Sequence, residues 1–476
     1  MSKRYIQRVQ SSVHGLMEFR GMEAAVIELL TTPEMQRLRR VRQLGLSDLV
    51  FPDAEHSRLA HSLGAAHLAV RFGRRLSEVA SELVGPLLQP GPIEIRDFAI
   101  AALCHDLGHG PFSHAWEHEC VGENFNRSAW RKSLKLDLND QECSKLKWHE
   151  MVTLGLLTWP EGDLFNKLEQ HERGTARRIQ GFLRGNYHIP YLPRLISSDF
   201  DVDRGDFVVR DGEQAGVTYG RYDIDWMIST ITLGYYKDRL VVGFDSRKAR
   251  RALEQFIQDR RALYETVYYH HTVKAAEAMI GVIFKRLRHL LSIPSKNDWD
   301  GFLAYETIVN VARGQPLSLR EIMHLDDALL WSFINTLANT SRSYDPIIHD
   351  LSNRLIHRRL YKEIYIKKKG GTIPIQTHYK VMSNVLKCVK NSIRYPKLSI
   401  EDISEYYYLN HVTEDELLSK RENEQSFFID ASQSSMPAFP IRDDREFLPI
   451  RLQAVSTNRL YVADEARDTV QAALKG

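Results

Sequence analysis

The sequence predicts a mainly α protein with a β-hairpin insertion and a small α+β lobe at its C-terminal end. Two observations carry this: apolar residues recur at helical spacing over most of the chain, and strand signals are few; separately, the histidines crowd between His56 and His149. With 43% apolar and 26% charged residues among 476, the composition is that of an ordinary globular protein, which excludes a rod, a collagen or a disordered chain.

Residues 33–44 place Met35, Leu38, Val41 and Leu44 three apart with arginines between them. That spacing predicts an amphipathic helix opened by Pro33, with Thr31 or Thr32 as its cap. A second helical pattern over 61–83 ends before Gly85-Pro86. Residues 94–108 are apolar on nearly every face, so this helix is expected to be buried and to stop at Gly108 and Gly110-Pro111. Long helical patterns recur at 246–290, 325–338 and 344–363, and 230–245 reads as a hairpin around Lys237-Asp238. The stretch 366–375 reads as a linker, so 1–365 is expected to form the main domain and 366–476 the C-terminal lobe. Within that lobe 448–455 and 458–463 are expected strands around a Ser-Thr-Asn turn, followed by a closing helix over 464–475.

Lysine and arginine total 64 against 61 acids, so a net charge of +3 gives no global field toward nucleic acid or membrane. Cys104, Cys120, Cys143 and Cys388 form no Cys-x-x-Cys pair, which fits a reducing compartment and neither a disulfide framework nor a zinc-thiolate site. The basic N-terminal stretch leads into no apolar segment, and no apolar run reaches a membrane span. A cytoplasmic protein without a membrane partner is expected.

The chemistry lies in Cys104-His105-Asp106-Leu107-Gly108-His109-Gly110-Pro111. An aspartate beside a histidine at the end of an apolar helix is costly to bury unless something compensates it. A divalent cation does so, because imidazole and carboxylate are its ordinary ligands. His105 and His109, four apart, can share one face, whereas Asp106 points about 100° away, so pairing His105 with Asp106 requires a helix end. A plain C-cap is the alternative for an isolated His-Asp. Two further stretches favour the metal: Glu55 to Gly64, holding His56, Arg58 and His61, and Asp201-Val202-Asp203-Arg204-Gly205-Asp206.

This His … His-Asp … Asp set resembles the HD phosphohydrolase superfamily. Longer stretches, 33–64, 102–114, 201–211, 256–280 and more faintly 325–363, are similar to the deoxynucleoside triphosphate triphosphohydrolases within it. The resemblance implies an HD-domain helical core that converts a dNTP, with dGTP a candidate for preference, to deoxynucleoside and tripolyphosphate by water attack at the α-phosphorus. The implied metal ligands are His61, His105, Asp106 and Asp203, holding iron, manganese or zinc, with magnesium or manganese accompanying the triphosphate. His109, His114, Glu117 and His149 map to the shell around the scissile phosphate, His114 as acid for the leaving 5′-oxygen and Glu117 orienting His149 or His114. Arg58, Arg204 and Arg260 map to phosphate contacts. Gln43, Leu44 and Asp211 map to base or sugar contacts, and Tyr268 with Leu44 to the wall that excludes a ribose 2′-hydroxyl, Tyr264 lying one turn earlier. Core packing is the alternative for Leu44, Tyr264 and Tyr268.

The chain departs from the mammalian branch at Phe207, where a tyrosine is usual, and at effector positions Thr31, Thr266 and His271, while Gln36 and Arg39 are retained. A different nucleotide effector or none is implied, and family members assemble as homo-oligomers such as dimers and tetramers. Two other readings stay open: another HD-type nucleotidase or phosphodiesterase, and a nucleic-acid-binding regulatory protein. For the latter, His357-Arg358-Arg359 and Lys367-Lys368-Lys369, interleaved with Tyr361 and Tyr365, fit single-stranded nucleic acid, although a solvated helix face explains them more simply.

Overall fold

The structure is a computed structural model describing residues 6–122, 125–293, 305–340, 345–364, 375–415, 418, 424–444, 446–447 and 455–475. It is mainly helical with small sheets, as the periodicity predicts. Strands β1 (Ile6–Ser11) and β2 (Gly15–Arg20) form an N-terminal antiparallel hairpin that the sequence patterns do not predict. Met17 and Phe19 of β2 are buried and fasten it to the body.

The helix expected over 33–44 is shorter. It runs Pro33–Arg37, tightens into a 3-10 turn at Leu38–Arg40 and ends with Val41 extended. The cause is tertiary. Buried Arg37 donates to the carbonyls of Leu107 and Leu325, at 2.6 and 2.9 Å, and the next residues pair with the chain before the following helix. Gln43 N donates to the His56 carbonyl and Arg58 N to that of Val41, at 3.0 and 2.9 Å. This pairing competes with helical bonds and brings Gln43 beside His56 and Arg58.

The core is built on α1 (Arg58–Leu83), α2 (Pro92–Cys104), α3 (Trp148–Leu157) and α4 (Val202–Gln214). Every residue of α2 from Ile95 to Cys104 is buried, in keeping with its all-round apolar character. The helix stops at Cys104, so His105 and Asp106 sit in the turn where the backbone changes direction. Two glycines allow the elements to close on this turn. A Cβ on Gly64 of α1 would lie 1.8 Å from Asp206 Oδ1 of α4, and one on Gly108 would lie 2.0 Å from the His149 carbonyl of α3.

The pattern over 246–290 divides into α5 (Arg250–Leu263), a wide π turn at Tyr264–Tyr268 and α6 (His271–Leu291). The patterns at 325–338 and 344–363 become α7 (Asp327–Thr340) and α8 (Pro346–Ile356). The expected hairpin is β3 (Ile231–Tyr236) and β4 (Arg239–Asp245). Lys237 and Asp238 both take positive φ, as a two-residue turn of primed type requires.

Toward the C-terminus lie β5 (Lys362–Ile364), β6 (Tyr408–Asp415), β7 (Phe427–Ile429), β8 (Ala438–Pro440) and β9 (Val455–Val462). β7 extends the hairpin sheet parallel to β4, and β9 lies between β5 and β6. Two sheets therefore cross the expected boundary at 365/366. The expected Ser-Thr-Asn turn is instead the interior of β9: Ser456, Thr457 and Asn458 pair with Glu414, Thr413 and Val412, and backbone pairing overrides turn propensity. Of the sequence-predicted elements, the linker 366–375 except its last residue, the Lys367–Lys369 run, Tyr365 and most of 448–455 lie outside the described residues. The closing helix is present at Arg467–Lys475. No helix among the described residues is long and apolar enough to cross a membrane.

Gly64→Ala is expected to lower stability by about 1–3 kcal/mol or more, because the methyl must displace a buried carboxylate. Denaturant unfolding measures it; an unchanged midpoint would show that α1 and α4 have slack at this crossing.

Candidate metal centre and active site

His61 of α1, His105 and Asp106 of the turn after α2, and Asp203 of α4 converge. His61 Nε2 lies 3.1 Å from Asp203 Oδ1, 3.4 Å from His105 Nε2 and 3.6 Å from Asp106 Oδ2. His105 Nε2 lies 3.4 Å from both Asp106 Oδ1 and Asp203 Oδ1. Each imidazole is fixed from behind. His61 Nδ1 donates to Asp206 at 2.8 Å, and His105 Nδ1 donates to the Ala102 carbonyl at 2.7 Å. Both Nε2 atoms therefore face the centre. His61, His105 and Asp203 each offer a ligand atom within 4.8 Å of the others and together fit a divalent transition metal, whereas Asp106 groups in the same way with His109 and His149. Asp203 has the most exposed side chain of the four, at 26%, and marks the mouth.

Beside the centre stands an imidazole stack. His109 Nε2 is 3.4 Å from Asp106 Oδ1, and its ring lies parallel to that of His149 with centroids 4.0 Å apart. His114 packs edge-on to His109 at 5.0 Å and is exposed. Glu117 accepts from His149 Nδ1 at 2.8 Å and from Trp148 N at 2.6 Å. One carboxylate thus orients the ring and caps α3. Of the two partners expected for Glu117, the structure places it on His149.

Arg58 is buried, donating to Asp106 through one Nη and to Ser113 Oγ at 2.9 Å through Nε. Ser113 in turn donates to the Arg42 carbonyl. Phe112 and Ser113 both have positive φ, a left-handed strain held in place by the surrounding structure. Asp327 supplies that hold by accepting from Phe112 N at 2.8 Å and from Arg42 N at 3.0 Å. Arg204 is held by Asp201 and the Ser198 carbonyl, and the Arg260 guanidinium lies 5.5 Å from the Tyr264 ring centre.

Asp211 sits one turn past Phe207 on α4. Its carboxylate accepts from His56 Nε2 and Tyr268 Oη, each at 2.8 Å. Gln43 Oε1 is buried without a partner. Tyr268 also meets Tyr264 at 4.9 Å and Phe207 at 6.3 Å, so an aromatic cluster flanks Asp211. Leu44 is half-buried against the core. Tyr361, of the basic stretch, is buried with its hydroxyl on the Tyr406 carbonyl and offers no stacking face.

Residues 58–140 match the HD domain family. This stretch of the chain is an HD domain. The matched segment contains His61, His105 and Asp106, while Asp203 comes from beyond it. The chain is 28% identical over 344 residues to the uncharacterized protein YwfO of Bacillus subtilis, covering 71% of this chain and 67% of that one. It is 28% identical over 299 residues to the deoxynucleoside triphosphate triphosphohydrolase SAMHD1 homolog of Dictyostelium discoideum, covering 61% of this chain and 51% of that one. The chain thus spans about half of that relative. A phosphohydrolase from Bacteroides thetaiotaomicron shares the fold, with a TM-score of 0.70 at 21% identity over 96% of this chain and 99% of that one.

The sequence, with its family resemblance, points to the four converging groups but assigns no role to Asp206, His56, His14, Arg210, Thr153 or Asp327. Asp206 has a signal, standing three residues beyond Asp203 on the same helix face. Thr153 Oγ1 bridges the ligand turn, accepting from Gly108 N at 2.8 Å, and only the fold brings it there.

Electrostatics divide the site in two. Burial alone would lower the His61 pKa, but Asp203 and Asp206 outweigh it and raise it to about 10. Burial would raise Asp203 and Asp106, yet the neighbouring histidines, with Arg58 for Asp106, hold both well below the usual carboxylate range. His109 and His114 go the other way: desolvation by the surrounding protein, reinforced by Arg58 and the adjoining imidazoles, pushes both well below 6.5.

The raised His61 pKa makes its proton stabilise the metal-free fold fully below about pH 6.5, and that contribution is lost as pH rises toward about 10. A metal needs the same Nε2 lone pair, so its affinity is expected to strengthen across this window by up to about tenfold per pH unit. Chelator competition with Mn²⁺ at several pH values reads the slope, and a flat profile would mean that His61 binds no competing proton.

Proposed function

We propose that this HD protein is a metal-dependent phosphohydrolase that cleaves a dNTP into deoxynucleoside and tripolyphosphate. One observation carries the choice of substrate: Asp211 is held by His56 and Tyr268, and the buried Gln43 Oε1 has no partner, a set of acceptors suited to a sugar hydroxyl. A 3′-hydroxyl donates to Asp211 or Gln43, each of which has an oxygen to accept it. Tyr268, tied to Asp211 and packed on Tyr264, supports a wall against a 2′-hydroxyl. The similarity to a named dNTP triphosphohydrolase points the same way.

His61, His105, Asp106 and Asp203 would hold the metal. Bound there, a divalent ion supplies Lewis acidity to the phosphoryl oxygens and lowers the pKa of nearby water. The rest falls to side chains. Arg58, Arg204 and Arg260 offer guanidinium donors to the triphosphate. The exposed His114 delivers a proton to the departing 5′-oxygen while His109 and His149, aligned by Glu117, pack beneath it. Desolvation and the neighbouring cationic groups lower the His114 pKa, and the negative charge of a bound triphosphate would raise it.

Incubation with each dNTP and Mn²⁺ or Mg²⁺, with chromatographic separation, should yield deoxynucleoside and tripolyphosphate. Release of pyrophosphate or orthophosphate alone would overturn the reading. His105→Ala and Asp106→Ala are expected to abolish turnover.

His114→Gln should lower kcat by about 10²- to 10⁴-fold. At saturating metal, kcat/KM of the wild type should fall as pH rises above the low pKa of free His114, and the substitution should flatten that limb. An unchanged limb removes His114 from the acid role.

A further inference from the structure

The N-terminal hairpin reaches the metal centre through one side chain. His14 lies in the turn between β1 and β2, where Ser11 Oγ accepts from both Val13 N and His14 N at 3.2 Å. Its imidazole is only 5% exposed and packs toward His67 of α1, with ring centres 5.8 Å apart. His14 Nε2 donates to Asp206 Oδ1 at 2.6 Å across a sequence separation of 192 residues.

Asp206 is fully buried, and its other contacts define what His14 completes. Arg210 donates to both oxygens, Nε to Oδ2 and Nη2 to Oδ1, each at 2.8 Å, and His61 Nδ1 donates to Oδ2 at 2.8 Å. With His14 the carboxylate accepts four hydrogen bonds, two on each oxygen, which is its full capacity. Oδ1 takes Arg210 and His14, and Oδ2 takes Arg210 and His61. Losing the His14 donor leaves Oδ1 short in a site closed to water, and the carboxylate can then turn only by disturbing its bond to His61. Gly64 leaves just enough space for the carboxylate, so the ring of donors sets its orientation.

We propose that the hairpin is a strap whose docking is coupled to metal loading, with His14 a positioning residue that acts through Asp206 on the ligand His61. The inference rests on the metal reading of the four-ligand centre. His14 touches neither ligand atoms nor substrate pocket, and its effect passes through the second bond of a shared carboxylate. Coupling of this kind is reciprocal. The docked hairpin strengthens metal binding, and bound metal, by holding His61 and therefore Asp206, protects the hairpin.

The test uses the full chain and Mn²⁺. Affinity is measured by chelator competition, hydrogen exchange over 6–20 is followed with and without metal, and unfolding of the metal-free protein is measured alongside. His14→Ala is expected to weaken Mn²⁺ binding by about tenfold to 100-fold, the range for partners of metal ligands. His14→Gln, whose side-chain amide offers a donor in place of Nε2, should recover most of the loss. Metal should slow exchange in the wild-type hairpin. Equal affinity in wild type and His14→Ala, even with lowered stability, makes His14 merely structural and overturns the proposal. So does exchange over 6–20 that ignores metal, and that measurement decides the matter if His14→Ala fails to fold. A wild type that takes up no Mn²⁺ defeats the metal reading itself and is distinguishable from either.

Discussion

A buried carboxylate holding four hydrogen bonds is the constraint around which this molecule is arranged. Asp206 is sealed from water, and an ion there is tolerable only when paired and fully hydrogen-bonded. Arg210 supplies the opposite charge from one turn along the same helix. His61 supplies a donor from α1, and His14 supplies another from the hairpin. Three parts of the chain are thereby brought to one point, and their meeting orients the Nε2 of His61 toward its partners. Gly64 is the steric counterpart, since any side chain there would occupy the position of Oδ1.

The turn after α2 obeys the same logic. An apolar helix delivers His105 and Asp106 into the interior, and ending the helix at Cys104 lets both point to one place. Thr153, Gly108 and the Ala102 carbonyl fix that turn without charge. Rigidity comes from saturated hydrogen bonds, which in a low-dielectric interior are expensive to leave incomplete.

Much of this is legible in the sequence, and the part that is not has a common physical origin. His105 and Asp106 announce themselves through local grammar, a buried helix ending in His-Asp, whereas the choice of His61 and Asp203 within their stretches comes from the resemblance to the HD phosphohydrolases. The β3–β4 hairpin is visible because Lys237-Asp238 is a local turn. The early end of the helix at Arg37 is invisible, because its cause is a pair of carbonyls at Leu107 and Leu325. His14 is likewise invisible, its acceptor lying 192 residues away. In the C-terminal region, Ser456 to Asn458 read as a turn because the strand that recruits them, β6, lies far upstream in the chain.

Asp106 joins the two electrostatic halves of the site. Its Oδ2 meets Arg58 and faces His61, whereas its Oδ1 faces His105 and His109. One carboxylate thus neighbours the imidazoles of His61 and His105, the Arg58 guanidinium and the first ring of the imidazole stack. Any positive charge added at the centre competes with Arg58 for Asp106, and any negative charge added over the stack attracts Arg58 away from it. The even overall balance of 64 basic and 61 acidic residues conceals this, because Arg58 and Arg204 are each matched by an aspartate in the ligand-free protein. An anion arriving here would therefore meet cations already paired with carboxylates, and binding it would be an exchange of partners rather than the filling of a positive field.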